Sequence, residues 1–198
     1  MIDVSRETCD DNGGMPSNAV AQRPTPRIYL AGPDVFRPDS AQVFEALRAA
    51  CERLNLLAVP PSDGTLPTGF DGDDDAHALR IYEDNIALIR SCDGVVANLA
   101  PFRGLEPDSG TVFEVGFAIA LGLPVVGYGI PASTYAQRVG AQLDCQPDSH
   151  GVLRECATGL MVEGLGQRAN LMLTRSVAAP ADDADDALAR LARRFGVG

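Results

Sequence analysis

The chain has 198 residues, 45% of them hydrophobic and 22% charged, with a formal net charge of -11. Those proportions suit one globular domain with a full core, and the acidic surplus excludes a sequence-independent grip on nucleic acid or an anionic membrane, which needs a basic face. All 16 basic residues are arginines, so Schiff-base chemistry on lysine and the phosphate-holding lysine of a P-loop are both excluded.

The 5 cysteines, Cys9, Cys51, Cys92, Cys145 and Cys156, are odd in number and form no CxxC pair, which points to a reduced, cytoplasmic protein. The 2 histidines, His77 and His150, lie far apart and lack ligand spacing, so no metal site is expected. The segment "MIDVSRETCDDNGGMPSNAVAQRPTPR" has no apolar centre and does not read as a signal peptide. No apolar run approaches the roughly 18 residues that a membrane span requires. Residues 1–26 are polar and rich in turn formers and read as a disordered extension; residues 27–198 read as the folded domain.

In chain order, "RIYLA" opens the domain as a strand stopped by Gly32-Pro33. "DSAQVFEALRAACERL" places Val43, Leu47, Ala50, Cys51 and Leu54 on one helical face, with Asp39 or Ser40 as N-cap. "LLAVP" is a second strand, and the turn-rich "PSDGTLPTGFDGDDD" is long for a loop. "AHALRIYEDNIALIRSC" sets Leu79, Tyr82, Ile86 and Ile89 at helical spacing, before the third strand "DGVVANLAPF". A helix over "GTVFEVGFAIALG" and a fourth strand "LPVVGY" follow. Beyond Pro131 the pattern weakens until "DDADDALARLARRF", a helix with acids in its first turn and arginines in its last. Alternating strands and helices predict an α/β fold: a single flavodoxin-like (Rossmann-like), doubly wound parallel sheet.

In such a sheet ligands bind beyond the carboxyl ends of the strands, where "YLAGPDVF", "LAPFRGLEPDSG" and the loop after "VVGYG" converge. Glu114 stands there in an almost wholly apolar helix, and a carboxylate in such surroundings is paired, neutralised or functional. Asp108, six residues earlier, sits at the helix start, where a carboxylate caps the free N–H groups. Two carboxyl groups at an apolar crevice suit acid–base or covalent chemistry at a glycosidic carbon. Each residue also has a plain structural reading: Asp108 as a cap, Glu114 on a solvated strip, Tyr29 in the core, and Arg103 as a loop arginine bonded to carbonyls.

The segments "YLAGPDVF", "YEDNIALIRSCDGVVANLAPFRGLEPDSGTVFEVGFAIALGLPV" and "VEGLGQRANLML" together resemble the nucleoside 2-deoxyribosyltransferase family, over residues 27–173. The resemblance implies a retaining transfer of a 2-deoxyribosyl group between nucleobases, with 2'-deoxynucleosides and free bases as small-molecule partners and no cofactor. It implies Glu114 as the nucleophile, Asp108 as the group that binds the base edge and protonates it, and Tyr29 as the residue orienting Glu114. It further implies Gly32, Phe36, Asn85 and Arg103 as substrate-binding positions, Phe36 offering a stacking face. Asn85 departs from the aspartate of some family members and cannot act as an acid at neutral pH. "NLML" is similar to a segment that the family inserts into a neighbouring subunit's site, so Asn170 and Met172 would act in trans and the chain would be a homo-oligomer. A 2'-deoxynucleoside 5'-monophosphate hydrolase, with Arg37 and Arg103 as phosphate ligands, and a non-catalytic nucleoside sensor remain the alternatives.

Overall fold

The computed structural model describes residues 24–62, 64–65, 68 and 70–198. Most of the extension read over residues 1–26, Cys9 included, therefore lies outside the described residues. Four short strands form a parallel sheet in the order β2-β1-β3-β4: β1 (Arg27–Ala31), β2 (Leu57–Val59), β3 (Gly94–Asn98) and β4 (Val125–Tyr128). Helices α1 (Ser40–Arg53), α2 (Asp74–Arg90) and α3 (Ser109–Ala120) make the three crossovers. A single parallel bridge between Tyr128 and Ala181 stands where a fifth strand would lie, completing the flavodoxin order in reduced form.

Side chains alternate across β1, and this alternation creates two cores. Ile28 and Leu30 point to a face covered by α1 and by the terminal helix α6 (Ala184–Phe195), where Leu47, Cys51, Leu188 and Leu191 pack. Tyr29 and Ala31 point to the other face, under α2, α3 and the short helix α5 (Leu171–Ser176), among Ile89, Val115, Ala118 and Leu173. Both faces of β3 are buried, as the run "GVVAN" requires of a central parallel strand. α6 has the expected ends: Asp183 caps its first turn and Gly196 closes it in a left-handed conformation at φ 71°.

One expectation needs correction. Ile89 is fully buried, but Leu79 and Tyr82 are about half exposed, so the expected α2 face is not a continuous core stripe. Length explains this: the 17 residues of α2 span about 25 Å at 1.5 Å each, whereas a five-residue strand covers about 16 Å. The first turns of α2 overhang the carboxyl edge of the sheet. On α1 the expected face is buried: Leu47, Ala50 and Cys51 lie in the core with Phe44 beside them, and Val43 and Leu54 pack half-buried against it.

Beyond Pro131 the chain forms α4 (Tyr135–Gln142) and a small antiparallel hairpin, β5 (Cys145–Pro147) with β6 (Leu153–Glu155). Arg168 fastens the segment that follows to the loop after β4, through Nε to the Pro131 carbonyl at 2.8 Å and through Nη2 to the Ile130 carbonyl. Among the described residues, no helix is long and apolar enough to cross a membrane, and no group of three or more His, Cys, Asp or Glu side chains is placed to hold a metal ion.

Candidate active site

β1 ends at Ala31, and its alternation aims Tyr29 at the start of α3. The Tyr29 ring is fully buried, and its hydroxyl donates a 2.6 Å hydrogen bond to Glu114 Oε1. Burial pushes the Glu114 carboxyl up to about 7 from its ordinary 4.5; the Tyr29 hydrogen bond pulls it down and the charge of Asp108 pushes it up. Desolvation, reinforced by Glu114, raises the Tyr29 phenol far above its ordinary range, so Tyr29 stays a donor at any working pH. The pair is a half-buried, partly desolvated carboxyl group held by a permanent neutral donor.

Asp108 is the N-cap of α3, as its plain reading expects. Its Oδ2 accepts from Thr111 N at 2.9 Å and from Thr111 Oγ1 at 3.0 Å. Both bonds use one oxygen, which leaves Oδ1 for an outside group. On a helix turning 100° per residue, six positions do not share a face; the cap position, outside the helix proper, lets Asp108 reach the same crevice as Glu114.

The carboxyl ends of β1, β3 and β4 meet in a polar clasp that sequence reasoning missed. Asn98 Nδ2 donates to Asp34 Oδ2 at 2.9 Å, and Asn98 Oδ1 accepts from the Ala100 amide at 3.2 Å. Asp34 is a buried carboxylate, 8% exposed. Gly32 makes the approach possible: a Cβ there would stand 2.8 Å from Asn98 Cβ and 3.0 Å from Asp34 Oδ2. Gly129, at φ +80°, packs on the same asparagine from β4. The readable signal was that "AGPD" and "VVAN" each end a buried strand on a polar residue.

Phe36 and Arg103 come together as a rim. Phe36 is 60% exposed and stacks on Phe102 at 5.5 Å, while the Arg103 guanidinium lies 4.7 Å from the Phe102 centroid and 5.7 Å from that of Phe36. Arg103 reaches these rings from a left-handed backbone at φ 54° and forms no ion pair among the described residues. Arg37 is engaged, through two 2.9 Å bonds to Asp39. Asn85 Oδ1 accepts from the Ser62 amide at 2.7 Å, tying α2 to the loop after β2.

Asn170 and Met172 lie elsewhere. Asn170 caps α5, and with Met172 it lines a groove of about 640 Å³ that includes Glu106, Pro107, Val112, Gly116 and Ile119. At 100° per residue, Glu114 points roughly 150° away from the α3 residues of that groove. The groove lining includes Pro107 and Ser109, on either side of Asp108, but neither Glu114 nor Tyr29.

The protein is similar, at 33% identity over 115 residues, to an uncharacterized protein of Schizosaccharomyces pombe; the match covers 58% of this chain and about half, 54%, of that relative. Its fold is similar to a solved 2-desoxiribosyltransferase from Leishmania mexicana, with a TM-score of 0.66 and 32% identity over 85% of this chain and 97% of that one. A 2-deoxyribosyltransferase of Bacillus psychrosaccharolyticus shares the fold at a TM-score of 0.51 and 19% identity, over 81% of this chain and 88% of that one. The family model described as nucleoside 2-deoxyribosyltransferase matches residues 28–172, a span that contains every one of these site residues, and the chain belongs to that family.

Proposed function

We propose that the protein exchanges the nucleobase of a 2'-deoxynucleoside for a free base through a covalent ester on Glu114. The observation that carries the reading is the Tyr29–Glu114 hydrogen bond of 2.6 Å in an otherwise apolar setting at the carboxyl edge of the sheet. In the first step a Glu114 oxygen attacks the anomeric carbon while the bond to the base nitrogen breaks. The base leaves with that electron pair and is protonated from Asp108, through the oxygen that Thr111 does not occupy. In the second step a new base nitrogen attacks the same carbon and gives up its proton to the Asp108 carboxylate, the ester opens, and both carboxyl groups return to their starting states. Two inversions give net retention.

Tyr29 aligns the nucleophile, and Phe36 with Phe102 offers the aromatic face that a base needs. The groove orientation of Asn170 and Met172, away from their own Glu114, supports a homo-oligomer in which they complete a neighbour's site. The described cysteines, Cys51, Cys92, Cys145 and Cys156, are free thiols, which suits a cytoplasmic setting.

The test is incubation of the full chain with 2'-deoxyinosine and adenine. Formation of 2'-deoxyadenosine with hypoxanthine is the expected result; hypoxanthine with free deoxyribose would make the protein a hydrolase. One observation favours a second reading: the Arg103 guanidinium has no carboxylate partner among the described residues and is available to hold a 5'-phosphate. Faster base release from the 5'-monophosphate than from the nucleoside would select that reading.

A further inference from the structure

Glu163, seven residues before Asn170, ends a chain of hydrogen bonds whose direction is fixed at both ends. The Leu171 amide donates to Glu163 Oε1 at 2.7 Å, Asn170 Nδ2 donates to Glu163 Oε2 at 3.2 Å, and the Met172 amide donates to Asn170 Oδ1 at 3.0 Å. The two terminal groups are main-chain N–H donors and cannot reverse. A carboxylate accepts on both oxygens, so the Asn170 amide has one orientation that satisfies all three bonds.

We propose that Glu163 is a positioning residue that locks this orientation for use at a neighbouring copy's reaction centre. The proposal rests on the reading of Asn170 as a group acting in trans. Asn170 is solvent-exposed and Met172 is 74% exposed, so the remaining N–H and lone pair of the amide face outward. Two bonds, one to the Met172 amide and one to Glu163, fix which of them faces a substrate hydroxyl. Without Glu163 the amide would keep only its bond to the Met172 amide and swing about that single contact, so the outward N–H and lone pair would lose their fixed direction.

The rest of the segment does not depend on Glu163. Arg168 bonds the loop after β4, the Tyr135 amide donates to the Gln167 carbonyl at 2.8 Å, and Thr174 Oγ1 donates to Gln167 Oε1 at 2.9 Å. Glu163→Gln therefore keeps the backbone path and the side-chain volume. It replaces one acceptor by an NH₂ group, which meets a donor in either flip: the Leu171 amide, or Asn170 Nδ2. Turning the Asn170 amide to relieve the second clash puts Nδ2 against the Met172 amide.

The experiment measures base exchange and urea midpoints for the full chain, Glu163→Gln, Asn170→Ala and the double variant. Glu163→Gln is expected to raise KM for 2'-deoxyinosine about tenfold, the loss of one well-placed hydrogen bond, with an unchanged midpoint. In the Asn170→Ala background it is expected to add nothing, since the group it positions is gone. A wild-type KM in Glu163→Gln, or effects that add, would overturn the proposal.

Mixing Glu163→Gln with Glu114→Ala separates the trans reading. Random exchange of partners leaves about a quarter of sites with an intact nucleophile and an intact neighbouring Asn170 and about a quarter with an intact nucleophile and a variant neighbour, so about a quarter of wild-type kcat should appear at the wild-type KM and a second quarter at the high KM. A mixture that shows only the high KM would place Asn170 in its own chain's site and overturn the proposal. If the wild-type chain exchanges no bases, the functional reading fails first, before any variant is made.

Discussion

Replacing Glu114 by glutamine should stabilise the protein, and by an amount set by pH. In the folded chain the Glu114 carboxyl ionises at about 7, against 4.5 for an ordinary glutamate, because burial disfavours the charged form. Between those values the folded state binds more protons than the unfolded one, so stability falls as pH rises. The favourable contribution is complete below 4.5 and is lost by the time pH passes 7. The difference corresponds to about 3 kcal/mol, a large share of the roughly 5–15 kcal/mol that holds a domain together. Glutamine cannot ionise and can still accept from Tyr29, so the variant avoids this loss. Urea denaturation of both proteins from pH 5 to 8.5 reads it directly. The gap between variant and wild type should widen by about 2–3 kcal/mol across that range, while the other ionisations cancel in the difference. A gap independent of pH would refute the claim that Glu114 is held at a desolvation cost, whatever its role in catalysis.

For base exchange, the acid limb of kcat/KM should rise with pH through about 7, since the nucleophile must be ionised; a profile with no acid limb between pH 5 and 9 would refute that assignment. Tyr29→Phe should lower kcat about 10- to 100-fold, the loss of one hydrogen bond to a charged acceptor, and move the acid limb upward because Tyr29 holds the Glu114 carboxyl down; an unmoved limb would speak against the pairing. Asp108→Asn should retain the α3 cap and match wild-type stability within about 0.5 kcal/mol, whereas Asp108→Ala should lose about 1 kcal/mol. Both should lose base release, and wild-type turnover in Asp108→Asn would remove Asp108 from proton delivery. Gly32→Ala should lower stability by about 1–3 kcal/mol through the 2.8 Å overlap with Asn98 Cβ, and an unchanged urea midpoint would show that the clasp yields.

The sheet was legible because its signals are local. "IYLA", "GVVAN" and "VVGY" are short apolar runs bounded by Gly or Pro, and the helices between them are long enough to show a period. Glu114 was legible for a related reason: a single carboxylate in "GTVFEVGFAIALG" violates the pattern around it. What the sequence hid depends on distance between elements. Asp34 and Asn98 are 64 residues apart and look like ordinary loop and strand-end polar groups; only the register of β1 against β3 makes them neighbours. The exposure of Leu79 and Tyr82 follows from the difference in length between α2 and the strands beneath it, which periodicity cannot report. The hairpin β5–β6 was invisible because its strands, three residues each, are mostly polar.

The same burial explains both the cost of the site and its chemistry. A carboxylate in water is well solvated and a poor nucleophile toward a sugar carbon; removed from water, it gains reactivity at the expense of folding free energy. The expense is tolerable only where neighbouring structure does not also depend on the charge. That condition holds here: α3 is capped by Asp108 and Thr111, packed by Val115 and Ala118, and touches Tyr29 through a neutral donor. None of these contacts requires Glu114 to be ionised, so the helix stays in place through both protonation states. Tyr29 in turn is fixed by β1, one of the two strands with neighbours on both sides, and by the asparagine clasp at its carboxyl end. In the proposed mechanism the attacking oxygen is thereby positioned from the sheet, while Phe36, Arg103 and the Asn170 cap stand on loops and helix ends, the places that mechanism assigns to substrate and partner.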